Sequence, residues 1–350
     1  MRKFQFHPCG SFKETYQDEL FLFKTDFGRL WVWISLILLF VVIPSSFGIQ
    51  TLNLFSLMGI YAMAALGLNI LTGFTGQLSL AHGSLFGIGA YTAAILGSRG
   101  GFPFFATIPF AAILAAAVGI ILSFPAARLR NFYLCIITLG GQLIIEYVLL
   151  HWKGLTGGAE GIAITAGESG PLSVTQGTTF YFVVFTALAT MIWVAANLMR
   201  TRFGRAFVAI RDNETAAEGM GIPIFRYKLL SFAISSFYAG FAGALFAYHA
   251  REISPGLFSM GMSMEFLAMI VVGGLGSIPG AVFGSIFIVF LNELLGVLAK
   301  VFLETGAVTA MIPIREFFYG GFIVLFITGK PKGISTIWER TKSVFRHWPF

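Results

Sequence analysis

The chain of 350 residues has few charged residues, and this scarcity excludes most soluble folds. Asp, Glu, Lys and Arg together make up 11% of the sequence, whereas a soluble domain usually carries about 25%. Hydrophobic residues make up 57%, with 39 phenylalanines, and the mean hydropathy is +0.82. This composition is typical of a polytopic membrane protein.

Residues that commonly perform chemistry are scarce as well. The two cysteines, Cys9 and Cys135, have no metal-ligand spacing, and the five histidines are scattered along the chain. The phosphate-binding motif G-x-x-x-x-G-K-[S/T] does not occur in the sequence. We therefore expect that this chain holds no metal, has no catalytic residues and binds no ATP. The net charge of +7 is better explained by basic loops at a membrane than by a nucleic-acid partner.

Long uncharged runs predict an all-α polytopic membrane protein with about ten transmembrane or re-entrant helices. A hydrocarbon core of about 30 Å requires about 20 apolar residues per helix. The candidate spans are 30–49, 51–72, 77–97, 102–124, 132–150, 179–199, 228–250, 262–276, 279–299 and 312–328. The span 77–97 is broken by glycines and 262–276 is short, so either is expected to be kinked or re-entrant.

The distribution of basic residues predicts the orientation. If the N-terminus lies inside and the spans alternate, only five of the 23 lysines and arginines fall outside. The positive-inside rule then places both termini in the cytoplasm. The predicted parts are a cytoplasmic N-terminal tail (1–29), a transmembrane domain (30–328) and a basic cytoplasmic tail (329–350). Within the domain, an outward loop (152–178) is either a docking surface or a flexible connector.

A membrane-length apolar segment, residues 67–96, is interrupted by five glycines between Gly73 and Gly89. Lipid does not tolerate irregular backbone or stray polar side chains unless protein or a water-filled cavity covers them. The interruption therefore indicates a transport path through a helical bundle. The candidate pathway residues are Asn69, Gln77, Ser79 and His82. For His82 the alternative is a neutral histidine that is hydrogen-bonded between helices.

Glycines at a spacing of four residues predict close contacts between helices. Gly83 and Gly87 form one such pair, and Gly276, Gly280 and Gly284 repeat the spacing twice. We expect these glycines to pack within the bundle, with an interface to a partner subunit as the alternative.

The longest charged interior loop, residues 200–228, has the pattern of a short capped helix. Asp212 or Asn213 can cap a helix that runs from Glu214 to Glu218, and Gly219 and Gly221 can end it. Such an element can dock into a groove of a partner protein. Alternatively, it lies at the membrane surface with its arginines on anionic lipid.

Five stretches of the chain resemble the LivM-type permease family of branched-chain amino acid ABC importers. They are LNILTGFTGQLSLAHGSLFGIGAYTAA (68–94), LTGGAEGI (155–162), RAFVAIRDNETAAEGMGI (205–222), YKLLSFAISSFYAGFAGALFA (227–247) and MEFLAMIVVGGLGSIPGAVFGSIFI (264–288). The resemblance covers roughly residues 50–328, in matching order.

The resemblance implies a heteromeric importer in the cytoplasmic (inner) membrane of a bacterium or archaeon. Its implied partners are a second homologous permease subunit, two cytoplasmic ATPase subunits that hold ATP and Mg, and a periplasmic or lipid-anchored substrate-binding protein. A short cytoplasmic helix docks on an ATPase in such systems. The residues at the matching positions are Arg211, Asp212, Asn213, Ala216, Ala217, Gly219 and Gly221.

Three alternatives remain at this stage. Relatives of this kind also carry urea, short amides or aromatic acids. A stand-alone secondary transporter would favour an acidic residue near mid-membrane, whereas the acids here lie near span ends. A membrane enzyme would need clustered His, Asp or Glu, and these are scattered.

Overall fold

The computed structural model describes residues 39–40, 43–126, 131–164, 177–302, 308–329 and 333. The predicted N-terminal tail lies outside these ranges, as does the C-terminal tail apart from two glycines. Residues 30–38 and 41–42 of the first predicted span and residues 165–176 of the outward loop also lie outside them.

Helices make up most of the described chain. They are α1 (Ile49–Leu68), α2 (His82–Ser98), α3 (Phe104–Ala126), α4 (Asn131–His151), α5 (Gly177–Arg200), α6 (Arg202–Asp212), α7 (Glu214–Gly219), α8 (Ile224–Ala250), α9 (Met260–Gly273), α10 (Ile278–Phe302) and α11 (Val308–Gly329). A π-helical turn, Asn69–Phe74, continues α1. Shorter helical turns are Ile43–Ser46, Lys153–Thr156, Gly158–Glu160 and Pro255–Phe258.

The described strands are β1 (Ile162–Ala163) and β2 (Glu252–Ile253), which pair in antiparallel fashion. Ile162 faces Ile253, and Ala163 faces Glu252. This ribbon joins the loop after α4 to the loop after α8, at the end of the bundle opposite α6 and α7.

Six helical segments of the described chain are long and apolar enough to cross a membrane. They are Ile49–Phe74, Phe104–Pro125, Tyr133–His151, Gly177–Arg200, Ile224–Ala250 and Ile278–Gly296. The predicted all-α polytopic membrane protein is thereby confirmed, whereas the number of ten spans stays a prediction.

Two of the predicted spans are helices too short to cross a hydrocarbon core by themselves. In place of the predicted span 77–97, the structure has α2, which begins at His82 and has 17 residues. In place of the predicted span 262–276, it has α9, with 14 residues. At 1.5 Å per residue these helices are about 25 and 21 Å long, less than a hydrocarbon core of about 30 Å. Each is preceded by backbone that is not α-helical: the mostly buried residues 75–81 before α2, and the turn Pro255–Phe258, with Leu257 exposed, before α9.

Helix α8 lies at the centre of the bundle and is buried on most sides. It packs against α1, α2 and α3. Close approach is possible because glycines face backbone: a side chain at Gly243 would meet the carbonyl of Phe86, and one at Gly89 would meet Gly240. A helix that is apolar all round is one that is enclosed by others.

Four of the five glycines with four-residue spacing lie where the bundle packs closely. A Cβ atom at Gly83 would lie 2.8 Å from Ser263 Oγ, and one at Gly87 would lie 2.8 Å from the Phe258 ring. Gly280 and Gly284 face the backbone of α9.

Gly276 differs from the other four because it is not in a helix. It lies in the turn between α9 and α10 with a φ of +75°, next to Arg211 and Gly73. A left-handed conformation favours glycine for its backbone. Gly276 therefore does not take part in the helix packing predicted for it.

Close contact between α9 and α10 predicts that a larger residue at Gly284 destabilises the fold. A Cβ atom there would overlap the carbonyl of Met269, and overpacking costs about 1–3 kcal/mol. We expect Gly284→Val to lower the thermal denaturation midpoint of the detergent-solubilised chain by roughly 5 °C. Gly296→Val, at a position of α10 with nothing within 4 Å, is the control. Equal midpoints for the two variants would contradict the packing described.

Candidate functional site

Residues 75–81, called the break below, interrupt the helical path between the π-helical turn and α2. Gly76 has a φ of +75°, and much of the break is buried. Buried backbone groups require hydrogen-bond partners. Two bonds are local: the Gln77 N–H donates to Leu71 O over 3.1 Å, and Thr72 Oγ1 donates to Gln77 O over 3.1 Å.

Helix α4 supplies partners from outside the break. Thr138 Oγ1 accepts from the Leu80 N–H over 3.1 Å, and Gln142 Oε1 accepts from the Ser84 N–H over 2.8 Å. Thr138 and Gln142 lie on the same face of α4, one turn apart. The first N–H groups of a helix have no partner within it. Side chains of α4 therefore allow α2 to begin inside the bundle.

Gln142 also connects the beginnings of two helices. Ser263, in the first turn of α9, accepts from the Gly83 N–H over 2.8 Å and donates to Gln142 Oε1 over 3.2 Å. Gln142 Nε2 donates to Phe258 O over 2.8 Å. The N-terminal ends of α2 and α9 thus meet around one fully buried amide. The sequence does not reveal this role of Gln142, since no local spacing links it to α2 or α9.

The four candidate pathway residues are all buried and all in contact with protein. Asn69 accepts from Gly276 N and donates to Ser277 O, both over 2.9 Å. Gln77 Nε2 donates to Ser231 Oγ over 2.9 Å.

Ser79 and His82 complete this set. Ser79 Oγ accepts from the Ala81 N–H over 3.4 Å, and His82 Nε2 donates to Ala64 O over 2.8 Å. The structure thus places His82 between α1 and α2, as the alternative interpretation has it. Because all four side chains are engaged within the chain, their role in a transport path stays a prediction.

Arg211, near the end of α6, contacts the region around the break. Its Nη1 donates to Gly73 O over 3.2 Å, and its Nε and Nη2 donate to Asp212 Oδ1. A Cβ atom at Gly76 would lie 3.0 Å from Arg211 Cγ, and one at Gly276 would lie 3.2 Å from Nη1. A cation at the C-terminal carbonyls of a helix is favourable. Arg211 therefore joins α6 to the end of the π-helical turn and to the turn before α10.

Helix α7 is short, and specific contacts hold it in place. Asn213 Oδ1 accepts from the Ala216 N–H over 3.0 Å, as predicted for a cap. Ala217 is 1% exposed, so its methyl group faces the protein. Glu214 pairs with Lys228 near the start of α8, with Oε1 2.7 Å from Nζ.

The lysine of this pair is 2% exposed. Removing one partner of a buried ion pair typically costs about 3–5 kcal/mol, because the other charge stays buried. In the sequence, Lys228 is only the last residue of the charged loop 200–228, and no motif links it to Glu214.

The exposed surface of α7 and its ends carries most of the residues matched to a coupling helix. Asp212, Asn213, Ala216, Gly219 and Gly221 are exposed, whereas Ala217 is not. Met220, which the sequence did not single out, is 78% exposed. Ala217 thus supports α7 from within, and Met220 adds an apolar side chain to the surface that a partner can reach.

A second polar cluster connects α9, α10 and α11. Asn292 Nδ2 donates to Glu265 Oε1 over 2.6 Å, and the Tyr319 hydroxyl donates to Asn292 Oδ1. This pairing explains how an acid is accommodated in α9. Among the described residues, no three His, Cys, Asp or Glu side chains are grouped to hold a metal ion.

The opposite end of the bundle carries the described part of the outward loop. Arg99 Nη1 donates to Gly154 O over 2.8 Å, and Ile164 N donates to Arg251 O over 2.7 Å. Together with the ribbon, these bonds tie residues 152–164 to the ends of α2 and α8. Trp152 and Glu160 are exposed there.

Taken together, the fold and site define a multi-span helical membrane protein. Two short helices begin inside its bundle, and a short capped helix at one end is linked to the break. Helices that are interrupted within the bundle are typical of membrane transporters.

The chain belongs to the family of branched-chain amino acid transport system permease components, whose model matches residues 50–327. It is 33% identical over 325 residues to the high-affinity branched-chain amino acid transport system permease protein LivM of Escherichia coli K12, covering 86% of this chain and 73% of that protein. The high-affinity branched-chain amino acid transport system permease protein LivH of Escherichia coli K12 is 27% identical over 256 residues, covering 68% of this chain and 82% of that protein.

A probable LivM permease protein of Methanocaldococcus jannaschii is 25% identical over 232 residues, covering 65% of this chain and 66% of that protein. No solved structure matches the chain. The resemblance to LivM-type permeases that the motifs indicated is confirmed.

The hydrogen bonds of Gln142 predict that its replacement loosens the beginning of α2. Gln142→Met preserves the volume but leaves Ser84 N and Phe258 O without their partner, at about 1–3 kcal/mol per buried group. We expect backbone amides 80–84 to exchange hydrogen roughly tenfold faster, measured by mass spectrometry on the solubilised chain. Leu143→Met, at the exposed neighbouring position, is the control. Unchanged exchange in Gln142→Met would contradict its bridging role.

Proposed function

We propose that the chain is a transmembrane permease subunit of an ATP-driven ABC importer that translocates branched-chain amino acids. The observation that carries this proposal is the link between the capped helix α7 and the break, in a chain of this permease family. The curated relatives are permease proteins of branched-chain amino acid transport systems. ATP hydrolysis is assigned to separate subunits, because the sequence has no phosphate-binding loop.

The proposed assembly contains a second homologous permease subunit, two ATPase subunits and a substrate-binding protein. The occurrence of both LivM and LivH among the relatives supports a pair of permeases. ATP and Mg are held by the ATPase subunits, and this chain binds no cofactor. The multi-pass chain lies in the cytoplasmic (inner) membrane, with α7 on the cytoplasmic side and the ribbon of β1 and β2 outside, where the binding protein docks.

Coupling follows from the contacts of α6 and α7. An ATPase groove receives the exposed surface of α7, including Ala216 and Met220, which no other part of the described chain covers. Movement of this surface pulls on Arg211, whose guanidinium contacts the carbonyl of Gly73. The force therefore reaches the backbone immediately before the break, where bonds from α4 and α9 can exchange for others.

The substrate needs only a weak and transient site in this subunit, because a binding protein delivers it. A zwitterionic amino acid can interact with helix ends and with backbone groups near Gly73 and Gly76 as the break rearranges. In this proposal Asn69, Gln77, Ser79 and His82 line or control the path when their present bonds open.

The proposal is tested by reconstituting the complete complex in liposomes. We expect uptake of labelled leucine, isoleucine or valine that requires ATP, the binding protein and both kinds of permease subunit. A complex with an inactive ATPase is the control. Leucine uptake by this chain alone under a proton or sodium gradient would contradict the proposal. ATP-driven uptake of urea, a short amide or an aromatic acid in place of the three amino acids would overturn the assignment of substrate.

The contacts of Arg211 predict that charge reversal uncouples ATP hydrolysis from uptake. Arg211→Glu replaces a donor at Gly73 O with a carboxylate, and Asp212→Lys removes the acid that orients the guanidinium. We expect the uptake per ATP hydrolysed to fall at least tenfold in each variant, while the complex still assembles. The ratio is measured from parallel uptake and phosphate-release assays.

Arg205→Glu is the matched control, since Arg205 is exposed on the same helix and donates to Arg200 O rather than to the backbone near the break. The wild-type ratio in both Arg211→Glu and Asp212→Lys would remove these residues from the coupling mechanism.

A further inference from the structure

We propose that Lys228 and Glu214 form the joint through which α7 moves the central helix α8. Both are positioning residues. This inference rests on the proposed function, because it concerns how the movement of an ATPase reaches the bundle. It assigns a role to two side chains outside the set matched to a coupling helix.

The burial of Lys228 is the first observation. Among the side chains whose burial the structure describes, it is the only buried lysine, arginine, aspartate or glutamate. Its Nζ lies 2.7 Å from Glu214 Oε1, and the glutamate side chain is 32% exposed. An ammonium enclosed in this way requires its partner, because water cannot replace the carboxylate without opening the contact. Helix α7 therefore cannot move away from α8 while Lys228 stays where it is.

The small size of α7 is the second observation. It has six residues, too few for a helix to be stable by itself in water. Besides its cap, its anchors are the buried methyl group of Ala217 and the Glu214 carboxylate. The carboxylate is at the first residue of α7, where negative charge is also favoured by the helix dipole. A push on α7 is thus transmitted at its N-terminal end, directly to α8.

The position of Lys228 on α8 is the third observation. Lys228 O accepts from Ser231 Oγ over 2.8 Å, and Ser231 Oγ accepts from Gln77 Nε2 over 2.9 Å. A chain of contacts therefore runs from Glu214 through the first turns of α8 to the break. The Gln77 Oε1 atom is buried and has no hydrogen-bond partner among the described residues, so a shift of α8 can offer this amide a new donor without breaking a bond at that atom.

Two polar contacts join the α6–α7 pair to the bundle, in addition to the apolar packing of α6 against α5 and α8. Arg211 reaches the backbone before the break, and the Lys228–Glu214 pair reaches α8. Through these two contacts, a movement of α7 displaces the backbone before the break and α8 together.

The test compares single variants with a swapped pair in the complete reconstituted complex. Glu214→Gln and Lys228→Gln each remove one charge, and the double variant Glu214→Lys, Lys228→Glu restores an ion pair with reversed direction. The matched control is Arg226→Gln, which removes an exposed cation from the same end of α8. The readouts are co-purification of the ATPase subunits, ATP hydrolysis, and uptake per ATP hydrolysed.

We expect each single variant to lower uptake per ATP at least tenfold while hydrolysis continues, and the swapped pair to recover to within threefold of wild type. The wild-type ratio in either single variant would overturn the proposal. If a single variant does not assemble with the ATPase subunits, the swapped pair is the deciding variant. Recovery of both assembly and uptake per ATP in the swapped pair supports the proposal, and loss of either one overturns it. Failure of the proposed function itself is distinguishable, because the wild-type complex would then show no ATP-driven uptake.

Discussion

Pairing of the backbone groups at the break is the constraint on which the rest of the structure depends. Helix α2 begins inside an apolar bundle, so its first N–H groups must find acceptors away from water. Gln142 and Ser263 provide them, and the same amide reaches Phe258 before α9. One set of side chains thus stabilises two helix beginnings. These bonds are also few enough to be exchanged when the surrounding helices shift.

The polar residues at the end of the bundle with α6 and α7 form a second layer built on the first. Arg211 contacts Gly73 O directly before the break, and Lys228 holds Glu214 of α7. Glycines at 76 and 276 leave room for the arginine to lie against backbone. An exposed helix on one side and a buried irregular segment on the other are therefore connected by charged side chains over short distances. This arrangement suits the proposed function, in which the energy source of the permease is a separate protein.

Local chemistry made part of this architecture predictable from the sequence. Hydropathy identified the apolar helices, and the run from Asn213 to Gly221 identified α7 with its cap and its end. Contacts between residues distant in sequence were not predictable. Neither the Lys228–Glu214 pair nor the bridge of Gln142 has a local spacing to reveal it. Gly276 shared a helical spacing with Gly280, yet its positive φ places it in a turn.

Hydrogen exchange of the complete complex during ATP turnover tests the central claim most directly, namely that movement at α7 reaches the break. The account predicts that amides in residues 75–84 change their exchange rate together with those in 212–221 when ATP is added. A complex with an inactive ATPase, to which ATP is added in the same way, should show no such coupled change. A change confined to 212–221, with residues 75–84 unaltered in a complex that transports substrate, would contradict the account.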